Sequence, residues 1–262
     1  MTLVLRPEPA KRSLLAGAAL SLAVFAALVT AYSAVLIRLR AVEASAAFPA
    51  FVSGLALAAL AAPLAVLAMV VVWRSGRTGG VRSFFALVIA ALTLAGPAYV
   101  AGAGIAKPAL MDISTDLADP PRFDRAPRDR GKADSPTPTA IPQAQAQAQR
   151  AAYPDLTSLR LPLAPDDVSN LAIGVVEERG WRLLGPTSFP RGGPPTGRIE
   201  AVARTPVLGF SDDVSIRVRP DGEGSLVDMR SASRFGTRDF GANAARIKAF
   251  LADLSAAANV AP

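Results

Sequence analysis

The chain has 262 residues, of which 51% are hydrophobic, and its formal net charge is +7. Such a high apolar fraction in a chain with 22 prolines is typical of a membrane protein. Cysteine and histidine are both absent, which excludes a disulfide framework, a Cys/His metal site and a His-based catalytic triad. The excess positive charge lies in residues 1–107, which hold nine basic and two acidic residues. It therefore indicates membrane topology, and we expect a lipid bilayer rather than nucleic acid as partner.

Three uncharged apolar runs predict membrane helices at about 13–37, 48–73 and 84–106. The first run is too long for a signal-peptide core, so we expect it to be retained. Three basic residues precede it and three lie between the second and third runs, whereas the other two flanks carry two and one. This bias predicts an inner-membrane protein with a cytoplasmic N-terminus and a periplasmic C-terminal domain. Because no ionisable residue lies inside the runs, we interpret residues 1–107 as an anchor.

Residues 108–150 are predicted to be a linker, disordered in part, between the membrane region and the soluble domain. Asp112, Asp116 and Asp119 lie close together, but their spacing differs from that of a calcium-binding EF-hand loop. We expect a solvated, proline-stopped segment there. The rest of the stretch has mixed charges, proline-rich steps and an Ala-Gln repeat at 143–149. Such a composition predicts an extended tether.

Residues 151–262 are predicted to form one small α+β domain. A helix opens at Pro165 and ends at Gly180, and a short strand follows at 181–184. A Gly/Pro-rich loop over 185–197 leads to three longer strands at 198–205, 213–219 and 225–235, of which the last two flank a hairpin turn at 220–224. Thr237 or Asp239 is suited to cap a final amphipathic helix. The pattern predicts an antiparallel sheet of about four strands with both helices on one face.

The strand and turn residues of this domain resemble a known family, the domain of unknown function family 1499. The segments that carry the resemblance are 112–121, Tyr153-Pro154, Gly180-Trp181, 199–201, 210–217, 228–234 and 236–247. The resemblance covers roughly residues 109–254. It implies a bacterial envelope or plastid context and implies no activity. The stretch 122–150 is interpreted as an insert that lengthens the tether.

A Ser/Arg-rich corner at the end of the third long strand is the first candidate site. Arginine side chains offer forked donors for phosphate or carboxylate groups, and serine hydroxyls and a helix N-terminus add further donors. The face of the sheet that lies opposite the helices is expected to carry five arginines and three acids, so it is not neutralised from within. The candidate ligand-binding residues are Arg217, Arg219, Asp228, Arg230, Ser231, Ser233, Arg234, Asp239, Asn243 and Arg246. The ligand would be an anionic small molecule or an envelope protein.

Two other functions stay open from the sequence. Asp212 and Asp213, with Asp228 and Asp239, could form a carboxylate cluster for acid–base catalysis, although the neighbouring arginines argue against it. Alternatively, the charged residues pair across the strands and the domain is purely structural. We expect no metal and no cofactor, and an enzyme is the less favoured reading.

Overall fold

The structure is a computed structural model, which describes residues 11–185 and 197–260. The chain divides into two compact units, Met1–Gly102 and Ala103–Pro262. Most of the Gly/Pro-rich loop predicted at 185–197 lies outside the described residues.

Three long helices make up the N-terminal part of the chain. They are α1 (Leu14–Leu39), α2 (Ala44–Ser75) and α3 (Gly80–Ile105), and each is long and apolar enough to cross a membrane. Pro49 and Pro63 lie inside α2 and Pro97 lies inside α3. Each of these prolines removes one backbone hydrogen bond from its helix.

Small side chains let the membrane helices approach closely. The buried apolar cluster consists of Ala19, Ala23, Ala61, Ala65, Ala86 and Ala90. Gly54 of α2 lies against α1, because a Cβ atom there would come within 2.3 Å of the hydroxyl oxygen of Thr30. Thr30 donates its own hydroxyl to the Ala26 carbonyl, which satisfies it inside the bundle. Close packing of this kind is what holds apolar helices together in lipid.

The C-terminal domain contains a six-stranded antiparallel sheet. Its strands are β1 (Asp112–Ser114), β2 (Leu159–Leu161), β3 (Arg182–Leu183), β4 (Gly197–Arg204), β5 (Ser211–Asp221) and β6 (Gly224–Ser233). The order across the sheet is β1-β6-β5-β4-β3, and β2 pairs with the same edge of β6 as β1 does. The sequence predicted β3 to β6 and the turn that joins β5 to β6. Strands β1 and β2 were not predicted.

Both long helices of the domain cover one face of the sheet, as predicted. They are α6 (Pro165–Glu178) and α7 (Ala242–Val260). Two shorter helices precede them, α4 (Ala126–Asp129) and α5 (Gln143–Ala152). The core lies between the sheet and α6 and α7, where Val176, Ile216, Ile247 and Phe250 are fully buried. Gly180 has a φ of +63°, which suits its predicted position at the end of α6.

Residues 112–138 differ most from what the sequence predicted. Instead of forming a tether, they begin as strand β1 at the edge of the sheet and then cross the face that α6 and α7 leave open. We call residues 112–138 the covering segment. The Ala-Gln repeat is not extended either, because it forms α5, and Gln149 binds the backbone N–H and carbonyl of Ser114. The covering segment needs no hydrophobic core of its own to be ordered, because it packs on the sheet.

Candidate functional site

The alternation of side chains along β5 and β6 separates the predicted site residues into two groups. Val214 and Ile216 face the helices, so Asp213 and Arg217 face the opposite side of the sheet. The group on the opposite side we call the charged face; it consists of Glu200, Asp213, Arg217, Arg219, Asp228, Arg230 and Arg234. The group on the helix side we call the polar cluster; it consists of Asp212, Ser231, Ser233, Asp239, Asn243 and Arg246. The predicted corner is therefore two sites separated by the sheet.

Asp228 joins two arginines at one end of the charged face. Its Oδ2 accepts hydrogen bonds from Arg217 Nε and Arg219 Nε, each at 3.0 Å. Arg217 also donates to Asp119 Oδ2 at 2.7 Å and to Asp116 Oδ2 at 3.1 Å. The two additional carboxylates come from the covering segment. They neutralise guanidinium groups that the sheet alone leaves in excess.

Arg230 lies at the centre of the charged face and is completely buried. Its Nε and Nη2 donate to the two carboxylate oxygens of Asp112 at 2.9 and 2.6 Å, in a bidentate pair. The carbonyl of Pro121 accepts a hydrogen bond from its Nη1, and the carbonyl of Pro138 accepts one from its Nη2. The centroid of the Phe123 ring lies 5.0 Å from the guanidinium carbon, so the ring covers one side of the guanidinium. These four partners of the Arg230 side chain all belong to the covering segment.

A third group of ion pairs lies where the covering segment meets the end of β6. Asp213 accepts from Arg234 Nε at 2.9 Å and from Arg130 Nε at 2.7 Å. Arg234 Nη2 also donates to Asp129 Oδ2 at 2.8 Å, and Arg182 donates to the same oxygen. Two carboxylates and three arginines thus alternate in one connected network. Its members come from both the sheet and the covering segment.

Glu200 of β4 holds the covering segment through its backbone. Its carboxylate accepts hydrogen bonds from the backbone N–H groups of Asp124, Arg125 and Ala126 at 2.9 to 3.1 Å. These N–H groups open the short helix α4, so the carboxylate occupies the place where a helix N-terminus binds an anion. The side chain of Glu200 is buried, and its partners replace the water that it gives up.

The pKa values of Asp112 and Asp129 are shifted in opposite directions. Burial raises the pKa of Asp112, although the hydrogen bonds and charge of Arg230 oppose the rise. Hydrogen bonds from Arg182 and then from Arg234 hold the pKa of Asp129 below its usual range, against partial burial. Asp129 therefore contributes stability through its charged form.

The polar cluster lies between the sheet and the first turns of α7. Arg246 forms an ion pair with Asp212 and donates to Ser231 Oγ at 2.8 Å and to Asn243 Oδ1 at 2.6 Å. Asn243 Nδ2 donates to Ser233 Oγ at 2.9 Å. Burial raises the pKa of Asp212, and the charge of Arg246 opposes the rise. The cluster thus fastens α7 to the start of β5 and to the end of β6.

Asp239 settles which of two predicted residues caps the last helix. Its carboxylate accepts from the backbone N–H of Gly241 at 2.9 Å and of Asn243 at 3.0 Å. This is the hydrogen-bond pattern of a capping side chain at a helix start. Asp239 is also close enough to Tyr153 to help raise the pKa of that phenol, after burial as the larger cause.

The geometry bears on the predicted carboxylate cluster too. Asp212 and Asp213 are neighbours in β5, so their side chains leave opposite faces of the sheet and belong to different networks. Asp228 lies in a third network and Asp239 caps α7. Within residues 11–185 and 197–260, no three acidic side chains come together as a metal-binding group. The structure does not bring the four carboxylates together as one site.

The sequence did not reveal the partners of the arginines. The sequence placed five arginines, Arg204 included, and three acids on this side of the sheet, and it also showed the run of aspartates that begins at Asp112. Pairing between these arginines and aspartates was not predicted, because the aspartates were interpreted as part of a solvated segment. Charge balance between a basic strand face and a nearby acidic segment was the signal available.

A shallow groove between α6 and α7 is a further concave surface on the domain. It encloses about 500 Å³. Leu171, Val175 and Ala257 supply apolar lining, while Asp167 and Glu178 bring negative charge. The remaining lining residues are Leu163, Asn170 and Gly174. Volumes of roughly 300–1,000 Å³ are usual for ligand-binding clefts.

A family model described as a protein of unknown function, DUF1499, matches residues 112–254. The chain belongs to this family. The match spans more than half of the chain and confirms the resemblance seen in the strand motifs. It begins at Asp112, the first residue of β1, and so includes the whole covering segment. No match was found among curated proteins.

Proposed function

We propose that this DUF1499 protein is an inner-membrane protein that exposes its domain to the periplasm, where the domain binds an envelope protein. The three candidate membrane helices support the anchor. The orientation rests on the basic residues at the ends of the helices. Six lie on the side of the N-terminus and three on the other side. An odd number of spans then puts the domain across the membrane from the N-terminus.

Cysteine labelling tests the orientation directly, because the natural chain contains no cysteine. Glu223 lies in the turn between β5 and β6 and Arg77 in the loop between α2 and α3, and both are exposed. A membrane-impermeant maleimide applied to spheroplasts should label Glu223→Cys at once. Arg77→Cys should react only after lysis. The reverse order of labelling would contradict the proposed orientation.

The observation that carries the binding proposal is the neutralisation of the charged face. An anionic ligand at Arg230 would have to displace Asp112 from a fully buried guanidinium. Removing one partner of a buried ion pair costs about 3–5 kcal/mol, which the ligand would have to offset. Binding in the groove between α6 and α7 breaks no such ion pair, and Leu163, Leu171 and Ala257 in its lining are already partly exposed.

The chemistry of the groove indicates the kind of partner. Apolar side chains contribute affinity by leaving water, at roughly 25 cal/mol for each Å² buried. Asp167 and Glu178 favour a partner segment with lysine or arginine beside its apolar residues. We therefore propose an envelope protein that contributes an apolar segment with basic flanks.

Site-specific photocrosslinking in living cells tests the groove. A photoreactive residue at Asn170, which lines the groove and is exposed, should give a protein adduct. Gly174→Leu should abolish the adduct by filling the groove, because open space surrounds the position where its Cβ would be. Ala249→Leu, at an exposed position of α7, is the matched control. The proposal fails if the adduct survives Gly174→Leu, or if its peptide lacks basic residues.

The anionic-ligand alternative has its own test. Thermal unfolding of the full chain would be measured with and without inorganic phosphate, because a ligand that binds only the folded state raises the melting temperature. The groove proposal predicts no shift that depends on Arg234. A phosphate-dependent rise that is lost in Arg234→Gln would favour the anionic ligand instead.

A further inference from the structure

Two loops of the domain carry large hydrophobic side chains that are exposed. Among the described residues that follow α3, the large hydrophobic residues that are exposed are Val207, at 74%, and Phe240, at 40%. Val207 lies in the loop Thr205–Phe210 between β4 and β5, and Phe240 in the segment Gly236–Gly241 before α7. We call these two segments the basal loops. Isolated exposed apolar residues are ordinary, but two at one end of a sheet are worth an explanation.

The basal loops lie side by side. The rings of Phe210 and Phe235, at their bases, are 5.1 Å apart. The backbone N–H of Arg234 donates to the Ser211 carbonyl at 3.2 Å and joins the ends of β5 and β6. Val207 and Phe240 therefore project from the same end of the sheet.

The segment that follows α3 in the chain joins the sheet at this same end. Asp112, the first residue of β1, pairs with Ala232 near the end of β6. Ala232 also pairs with Asp213, near the start of β5. Six residues lie between Asp112 and Ile105, the end of α3, so the two Cα atoms are at most about 25 Å apart. Arg238 Nη1 donates to the Lys107 carbonyl at 2.8 Å, so this connection runs beside the basal loops. Phe240 also packs on Gly104, which belongs to the same compact unit as the domain.

The charge and backbone of the basal loops suit a lipid surface. Arg204 and Lys107 are exposed at this end and offer positive charge to phosphate headgroups. Phe240 has a φ of +53°, a conformation that is unfavourable for a residue with a Cβ atom. A glycine or asparagine would adopt it more readily, and the core does not need a ring that is 40% exposed. Aromatic and basic side chains together are typical of segments at the membrane interface.

We propose that the basal loops form a lipid-contacting surface, with Val207 and Phe240 inserted among anionic headgroups and Arg204 paired with their phosphates. The surface goes beyond the anchoring by α1 to α3, because it fixes the domain against the bilayer. It is independent of the groove between α6 and α7. It is also independent of which side of the membrane the domain faces.

Spin labelling of the full chain in lipid nanodiscs tests the proposal. The cysteine-free chain allows single labels at Val207→Cys and, as a control, at Glu223→Cys. The control lies at the far end of β5, roughly 33 Å along the strand. In nanodiscs with anionic phospholipid, the ratio of collisions with oxygen to collisions with a water-soluble nickel complex should be several-fold higher at position 207. Equal ratios at the two positions would overturn the proposal.

Two further measurements separate lipid contact from other causes. Arg204→Glu should lower the ratio at position 207 in anionic nanodiscs, whereas Arg204→Lys should keep it. Nanodiscs of purely zwitterionic lipid should give a smaller ratio than anionic ones. A label that is shielded from both oxygen and nickel would indicate a protein contact and would refute the lipid surface.

Discussion

The buried ion pair between Asp112 and Arg230 predicts how much stability the domain loses when Asp112 is removed. Asp112→Ala would leave a fully buried guanidinium without a carboxylate, although Pro121 and Pro138 would still accept two of its hydrogen bonds. Breaking a buried ion pair costs about 3–5 kcal/mol, and the retained carbonyls place the expected cost near 3 kcal/mol. A domain is stable by only about 5–15 kcal/mol, so the loss is large.

Urea unfolding measures this loss in the full chain held in detergent. Trp181 stacks on Phe250 with ring centroids 5.6 Å apart, so its fluorescence reports on the domain core. Trp73, the second tryptophan, would be replaced by phenylalanine in every variant. With a slope of about 1.5 kcal/mol per molar urea, a cost of 3 kcal/mol lowers the midpoint by about 2 M.

A surface ion pair supplies the matched control. Arg160 forms a salt bridge with Asp221, and its side chain is 76% exposed. Asp221→Ala should cost about 1 kcal/mol or less, because water screens such pairs. The double variant Asp112→Leu with Arg230→Met should recover most of the lost stability, since no charge is then left buried. A midpoint for Asp112→Ala that equals that of Asp221→Ala would refute the reasoning.

Three further predictions concern other parts of the chain. The arginine partners of Asp129 hold its pKa low, so its contribution to stability is complete above its unfolded-state pKa and is lost as the pH falls through the lower folded-state pKa. Asp129→Asn should therefore make the free energy of unfolding less dependent on pH below about pH 4. An unchanged pH dependence would contradict this. Arg246→Ala leaves Asp212 buried without its cation, which raises the pKa of Asp212 further. Urea titrations of the variant should therefore show a larger loss of stability at pH 7.5 than at pH 5, and an equal loss at both pH values would contradict this prediction. Gly54→Ala should weaken the membrane bundle, measured as earlier loss of helical circular dichroism in SDS titrations, whereas Gly102→Ala, which adds a methyl group in open space, should not; equal behaviour of the two would contradict the packing of α1 on α2.

The sequence predicted the fold where hydrophobic periodicity alone decides it. The alternation of Val214, Ile216 and Val218 predicted β5 and its buried face, and the proline and glycine at the ends of α6 predicted that helix. The three membrane helices followed from length and apolar composition. In each case the signal is local, so no knowledge of the tertiary contacts was needed.

The covering segment was missed because its signal is not local. Residues 115–138 have few apolar side chains, and Asp116 or Arg130 looks like a solvated residue in a polar stretch. Their role is apparent only when the charged face is set beside them across about 100 residues of chain. β1 is three residues long and pairs with β6 over a similar separation, so periodicity does not reveal it.

The candidate sites were missed in part for the same reason. The residues named from the sequence do lie in polar networks, yet Arg230 and Arg246 belong to networks on opposite faces of the sheet. Strand alternation could have separated them before the structure was known. The groove between α6 and α7 has no motif, because its walls are ordinary positions of two amphipathic helices.

Hydrogen exchange of the full chain in nanodiscs tests most directly whether the covering segment closes the charged face. The backbone N–H groups of Asp124, Arg125 and Ala126 donate to the buried carboxylate of Glu200. They should exchange as slowly as the amides of β5, and Glu200→Gln should accelerate them while β5 stays protected. Exchange of these three amides at the rate of an unprotected peptide would show that the segment is a tether. The charged face would then be open to a ligand.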